Sequence, residues 1–401
     1  MLTEMIRQKA VQHEDYLISF RRDLHMYPEL SMKEVRTAAR IAEELSKLEG
    51  MEVVSGIGGG TGVMGILRGT KGEGKTVLLR ADIDALPIQE ESGVEFSSKN
   101  DGVMHACGHD AHATWLLGSA KILSELRHEF GGTVKFVFQP GEEGAGGGKK
   151  IIEDKVLENP AVDAVFAAHA WPEIDAGEMH VAERCAFGYA GGFSIKVTGK
   201  GGHGSWPHQC IDPIAVANQI YQGLQQIVSR RLDETAARVL SVCTIHSGPQ
   251  DKSNIIPDCC TMTGTLRSDR KEVIEEMCRL IHKVSKGVAE ANGASAEVSA
   301  RYGDAVINTP EAVRFCLESG AKILGKENVK LDTMPHLGGE DFSEYISRVP
   351  GAYVFVGIAT DETRGKFGLH SNLFKLEESV LARTAGVFAQ FAVDFLEKGS
   401  F

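Results

Sequence analysis

Val134-Lys-Phe-Val-Phe-Gln-Pro-Gly-Glu-Glu-Gly144 is the stretch from which the fold is read. Its first five residues are nearly all β-branched or aromatic, and Pro140-Gly141 closes the run. That pattern predicts a short buried strand ending in a turn. Working outward, residues 111–128 carry helical periodicity. Further apolar runs stand at Gly62-Val-Met-Gly-Ile-Leu67, Thr76-Val-Leu-Leu79 and Val162-Asp-Ala-Val-Phe-Ala-Ala168. Residues 3–20 and 33–48 read as amphipathic helices. Strands alternating with helices predict an α/β domain, its mostly parallel sheet flanked by helices. In such sheets, sites gather beyond the carboxyl ends of the strands. Asp82 and Asp84, Glu142 and Glu143, and His169 fall at those ends.

From residue 190 the pattern changes. Phe193-Ser-Ile-Lys-Val197 alternates like a half-exposed strand, and Pro213 to Arg230 is helical with Pro in its first turn. Val239–Ile245 and Cys260–Leu266 read as strands, Lys271–Ala291 as a helix and Ala294–Tyr302 as a last strand. This β-α-β-β-α-β order is that of a ferredoxin-like unit. The reading is an inserted domain over residues 189–302, with 1–188 and 303–401 forming one discontinuous larger domain.

The 401 residues suit two or three domains, and 42% hydrophobic with 24% charged residues is ordinary globular composition. The net charge of −12 argues against a nucleic-acid partner, since phosphate binding needs a basic surface. There is no run of 18 apolar residues to span a membrane and no signal-peptide h-region in Met1–Ala10. The eight cysteines are scattered without a CxxC pair, which predicts a reduced, cytoplasmic compartment.

The histidines cluster. Met104-His-Ala-Cys-Gly-His-Asp-Ala-His112 packs one Cys, three His and one Asp together, and thiolate and imidazole are ligands for Zn and similar metals. A polar loop with an incidental Cys is the plainer alternative. Glu142 and Glu143 follow a buried strand, where paired carboxylates are costly without a cation; one suits a ligand and the other a general base. An acidic surface turn is the plainer alternative there. His169 and His370 each close an apolar run, and alone each reads as a hydrogen-bonded core histidine. Gly199-Lys-Gly-Gly-His-Gly-Ser-Trp-Pro-His208 flanks His203 with glycines, so its ring can approach a ligand closely. Gly60-Thr-Gly-Val-Met-Gly65 matches GxGxxG, but strand residues follow where the nucleotide fingerprint needs a helix. A Cys107 nucleophile would leave the Glu pair idle, and a structural Zn site would need only four ligands.

Taken together these segments resemble the M20 metallopeptidase family, in particular its amidohydrolase branch of aminoacylases, hippurate hydrolases and auxin-conjugate hydrolases. The resemblance rests on Arg22-Asp-Leu-His-Met-Tyr-Pro-Glu-Leu30, Arg80-Ala-Asp-Ile-Asp-Ala-Leu-Pro87, Met104–His112, Gln139–Gly144, His169, Gly202–His208, Asn254–Asp258, Gly338-Gly-Glu-Asp-Phe342 and Leu369-His370. It implies a catalytic domain with an inserted lid and dimerisation domain. It implies two divalent metal ions (Zn, Mn, Co or Ni) held by Cys107, His109, Glu143, His169 and His370, with Glu142 as general base. The wider family usually has a ligand His where this chain has Asp82, so Asp82 and Asp84 are not expected among the ligands. His203 would polarise the scissile carbonyl, and Asn254 and Arg267 would bind the substrate's carboxylate end.

The activity so implied is hydrolysis of the amide bond of N-acyl amino acids. A metallodipeptidase or carboxypeptidase of the same family is the alternative, and a non-catalytic metal-binding scaffold is the alternative of another class. The expected partner is a small-molecule substrate, with no nucleic acid and no membrane. The expected assembly is a homodimer, with a tetramer as the alternative.

Overall fold

The computed structural model describes residues 1–249 and 251–401. The chain divides into two compact units: Met1–Ala186, Val306–Met334 and Asp341–Phe401 form the first, and Phe187–Ala305 with Pro335–Glu340 the second. The pattern reading leaves Pro335–Glu340 in the larger domain. This short segment joins the smaller unit because the Gly188 amide donates to the His336 carbonyl.

The first unit is built on an eight-stranded sheet. Its order is Met51–Ile57, Gly62–Arg68, Thr133–Gln139, Thr76–Asp82, Ala164–Asp175, Gly351–Ala359, Met179–Ala182 and Val329–Asp332. Four neighbouring strands, from Thr133–Gln139 to Gly351–Ala359, run parallel. Burial on both faces explains why their sequences are continuously apolar rather than alternating. The helices His109–Glu125 and Val380–Lys398 pack on each other and on the strand Thr76–Asp82. Trp115, Phe136, Phe138, Phe166 and Phe388 fill the core.

Lys135, the one charge in the strand that decided the fold, is fully buried. Its ammonium donates to the carbonyls of Val156, Glu158 and Pro160 at 2.8, 2.6 and 2.8 Å. Burial still pulls its pKa down to about 8.

Several elements depart from the pattern. The expected helix over 3–20 is two helices, Leu2–Gln12 and Glu14–Met26, broken at His13. There the backbone leaves helical geometry and the ring reaches Glu125 at 2.9 Å, so a tertiary contact overrides local periodicity. The strands Met51–Ile57 and Val329–Asp332 are half-exposed at the sheet margins and too polar to stand out in sequence. The GxGxxG stretch is a turn entering the strand Gly62–Arg68.

The second unit has a four-stranded antiparallel sheet ordered Arg238–Ser247, Cys259–Ser268, Tyr189–Thr198, Ser295–Tyr302. With helices Pro213–Arg230 and Lys271–Ala291, this is the ferredoxin-like topology. Asp212 caps the first helix by accepting from the Ile214 amide at 2.9 Å, and Pro213 occupies its first position. Phe193, Ile195, Leu224, Met262, Leu266 and Ile281 form a separate core.

Candidate active site

The site residues of the first unit come from five segments, three of them leaving the parallel strands. Asp82 ends the strand Thr76–Asp82 and Gln139 ends Thr133–Gln139. His169 lies inside its strand rather than at the end expected for it, because Ala164–Asp175 runs on. Its pairing with Thr76–Asp82 stops at Ala167, so His169 stands just past that ladder. Gly108, at φ 87, turns the chain between Cys107 and the first helical residue His109, a conformation favoured by glycine. The loop residue His370 is docked by its amide on the Ala106 carbonyl at 2.8 Å.

The orientation of each imidazole follows from what its other nitrogen does. His109 Nδ1 donates to Asp84 Oδ1 at 3.2 Å, which leaves Nε2 buried and without a hydrogen bond. His169 Nδ1 donates to the Ala170 carbonyl at 2.7 Å, so Nε2 presents its lone pair towards Cys107 Sγ, 3.4 Å away. His112 differs. Its Nε2 accepts from the Ala170 amide at 2.9 Å and its Nδ1 donates to Asp82 Oδ1 at 2.6 Å. Both its nitrogens are used, so in the grouping of Asp82, His109 and His112 the hydrogen bond runs between Asp82 and His112, and Asp82 approaches His109 Nδ1 only to 3.7 Å.

Donor atoms converge in two groups that share Cys107: Cys107 with His109 and His169, and Cys107 with Glu143 and His370. A third group joins His109 to Glu142 and Glu143. Glu143 Oε1 lies 3.2 Å from His370 Nε2 but makes no hydrogen bond, the arrangement of two ligand atoms aimed at a common point. Burial pushes the Cys107 thiol up, against the pull of His109. Burial lowers His169, with His112 adding to it. Burial also opposes protonation of His109, but Asp82, Cys107 and Asp84 outweigh it and raise it well above the ordinary value. A set of thiol, imidazole and carboxylate donors in which His109 Nε2 and Glu143 Oε1 are buried without a hydrogen bond fits divalent metal ions.

Beneath these residues lies a polar layer that the sequence reading largely missed. Arg80 is buried and donates to Gln139 Oε1, Asp82 Oδ2 and Asp341 Oδ1 at 3.0, 2.7 and 2.8 Å. The Tyr345 hydroxyl and the Gly148 amide complete it, on Gln139 and Asp341 respectively. Although burial disfavours its ionised form, Asp82 is held well below the carboxylate range by His109, His112 and Arg80. Arg80, Asp82, Gln139 and Asp341 stood in the quoted motifs, but nothing in their spacing said that they meet. The His109 to His112 spacing on one helix was the available sign for His112.

On the other side of His109, Asp110 Oδ2 lies 2.7 Å from both Arg21 Nε and His25 Nδ1, and His25 Nε2 lies 3.2 Å from Glu90 Oε1. Burial works against ionised Glu90, but His25, Ser92 and the Ser98 amide hold it at about 2, below its ordinary 4.5. A carboxyl depressed in this way adds stability that is fully present above pH 4.5 and lost as pH falls through about 2. Denaturant unfolding is therefore expected to show stability falling over that range, and Glu90→Gln to flatten the fall. An acid limb of unchanged slope in the variant would contradict the assignment.

His203, Asn254 and Arg267 belong to the second unit. His203 pairs with Ile255 across a two-stranded ribbon, and the Gly204 amide donates to the Asn254 carbonyl at 2.8 Å, which brings His203 and Asn254 together. The Ser205 amide donates to His203 Nδ1 at 3.1 Å, so Nε2 carries the ring proton. The His203 ring lies against Trp206 with centroids 4.9 Å apart and the planes tilted by 32°. Arg267 Nη1 donates to the Gly191 and Leu266 carbonyls at 2.8 and 2.9 Å and to the Thr265 hydroxyl. Burial lowers the Arg267 pKa.

Comparison with known proteins agrees with this chemistry. The chain is 39% identical over 401 residues to thermostable carboxypeptidase 1 of Saccharolobus solfataricus, covering 99% of this chain and 100% of that one. It is 39% identical to the N-acetylcysteine deacetylase of Bacillus subtilis, over 95% of this chain and 97% of that one. A solved Bacillus subtilis structure, described as a dinuclear metal binding peptidase from the M20 family, superposes with a TM-score of 0.82 at 35% identity, covering 96% of this chain and 99% of that one. The model of peptidase family M20/M25/M40 matches residues 78–394, and the chain belongs to that family.

Proposed function

We propose that this protein is a two-metal amidohydrolase that cleaves the amide bond of N-acyl amino acids. The observation that carries the reading is the pair of donor groups sharing Cys107, with Glu142 beside Glu143 at the next grouping. Cys107, His109, Glu143, His169 and His370 would hold the metals, which when bound lower the pKa of water from roughly 15.7 towards about 7 and polarise a carbonyl. A thiolate in the set favours Zn, Co or Ni over Mg.

The remaining steps fall to side chains of the chain. Glu142, partly exposed at the turn, takes a proton from the attacking water and returns it to the leaving amine. His203, with its proton on Nε2, donates to the oxyanion; one such donor is typically worth about 2.7–4 kcal/mol. Arg267 has Nη2 and Nε remaining for a substrate carboxylate, and it pairs with Ala190 at the far end of the strand from the ribbon that carries Asn254.

The relative named a carboxypeptidase favours a second reading. The chemistry is close, because the last peptide bond of a chain is itself the amide of an N-acylated amino acid with a free carboxylate. The assembly is proposed to be a homodimer formed through the smaller unit, whose outermost strand Arg238–Ser247 exposes Ile245. The eight cysteines form no disulfide with one another, which supports a reducing, cytoplasmic setting. Among the described residues, no helix is long and apolar enough to cross a membrane.

The test is amine release from a panel of N-acetyl, N-benzoyl and indole-acetyl amino acids beside dipeptides and longer peptides, with metal-stripped and Zn-, Mn-, Co- or Ni-loaded protein. Metal-dependent cleavage of the acyl amino acids is expected. Cleavage of peptides alone would move the protein to the carboxypeptidase reading, and no turnover with any metal would leave the scaffold.

A further inference from the structure

The segment from His25 to Glu34 carries a motif to which neither the metals nor the proposed mechanism gives a role. Three of its side chains nevertheless reach three segments of the site. His25 meets Asp110, next to His109. The Ser31 hydroxyl donates at 2.6 Å to Asp84 Oδ2, which also accepts the Glu143 amide at 3.0 Å. Glu34 is fully buried and reaches the other side of the same turn. Its Oε1 accepts the amides of Met32 and Gly141 at 2.8 and 2.9 Å, and its Oε2 accepts the Thr61 hydroxyl at 2.6 Å.

Glu142 is thus bracketed. The amide before it, of Gly141, is held by Glu34, and the amide after it, of Glu143, is held by Asp84. Gly141 has φ 65, and a Cβ there would stand 2.7 Å from Met32 Sδ, so the turn fits closely over the Met32–Glu34 segment. A buried carboxylate with no cation beside it is a costly way to stabilise a fold, and an apolar side chain of like volume would serve packing as well. Three donors converging on it suit a different task, fixing the backbone from which two reactive carboxylates project.

We propose that Glu34 is a positioning residue, which clamps the Gly141 amide and so sets where Glu142 and Glu143 stand relative to the metal ligands. The proposal rests on the reading of Glu142 as base and Glu143 as ligand. Two variants separate reach from charge. Glu34→Gln keeps the length and one carbonyl oxygen for the two amides, and its amide nitrogen can donate to the Thr61 oxygen. Glu34→Asp keeps the charge and withdraws it by one methylene. Each variant is assayed for kcat and KM with Zn2+ saturating, and for Zn2+ affinity by chelator competition, below its melting temperature.

Glu34→Asp is expected to lose about 10–100-fold in kcat or in Zn2+ affinity, with KM little changed, and Glu34→Gln to recover most of both. A wild-type-like Glu34→Asp, or a Glu34→Gln as impaired as Glu34→Asp, would overturn the clamp. If Glu34→Asp does not fold, Thr61→Val takes its place: removing one donor is expected to lower kcat several-fold, and an unchanged kcat would overturn the clamp equally. Glu142→Gln is run alongside. Turnover surviving in that variant removes the underlying reading, whereas Zn2+ affinity reports on Glu34 separately.

Discussion

Glu142→Gln is expected to lower kcat by about 10²–10⁴-fold while two metal ions still bind, since a positioned general base contributes that range. The residue stands next to Glu143 and within reach of His109, but it is outside both groups built around Cys107. Removing its charge therefore takes away the proton acceptor and leaves the Cys107-centred donors in place. KM should change little, because the interaction lost is made as the proton moves. Metal analysis together with kcat checks this directly. A variant that loses metal as well as rate would make Glu142 a ligand, and one that keeps its rate would remove it from the chemistry.

Cys107→Ser carries the second large effect. Cys107 is the one side chain common to the group with His109 and His169 and to the group with Glu143 and His370. Replacing a soft thiolate with a hydroxyl weakens both at once. The loss of metal affinity should exceed the roughly 10–100-fold that removal of an outer hydrogen-bond partner costs. With Co2+ as probe, the near-ultraviolet thiolate-to-metal absorption of the wild type should vanish in the variant. Unchanged affinity, or wild-type protein without that absorption, would exclude Cys107 as a ligand. Burial pushes the thiol up, and a metal ligand must be the thiolate, so metal binding is expected to release a proton and to weaken as pH falls.

Four of the first-unit residues stood out in the sequence because they sit where a strong local signal ends. Glu142 and Glu143 close an apolar strand, and Cys107 and His109 bracket a glycine at a helix start. What joined these scattered signals into one site was the resemblance to a family, since no spacing rule places His370 beside Glu143. The layer behind them was less legible. Arg80 meets Asp341 across 261 positions of sequence, and Glu34 meets Gly141 across 107. Such contacts depend on strand order, and strand order is fixed by packing rather than by local pattern. The same holds for the half-exposed strand Met51–Ile57, whose side chains carry little apolar periodicity. The ferredoxin-like unit was the opposite case: its helices Pro213–Arg230 and Lys271–Ala291 begin and end where periodicity and, for the first, the proline in its first turn put them.

The most direct test of the two-metal amidohydrolase reading is a titration of metal-stripped protein with Zn2+, following hydrolysis of an N-acyl amino acid that the wild type accepts. The account predicts no turnover without metal and activity that reaches its plateau at two ions per chain. Full hydrolysis by protein shown to be free of metal would contradict it.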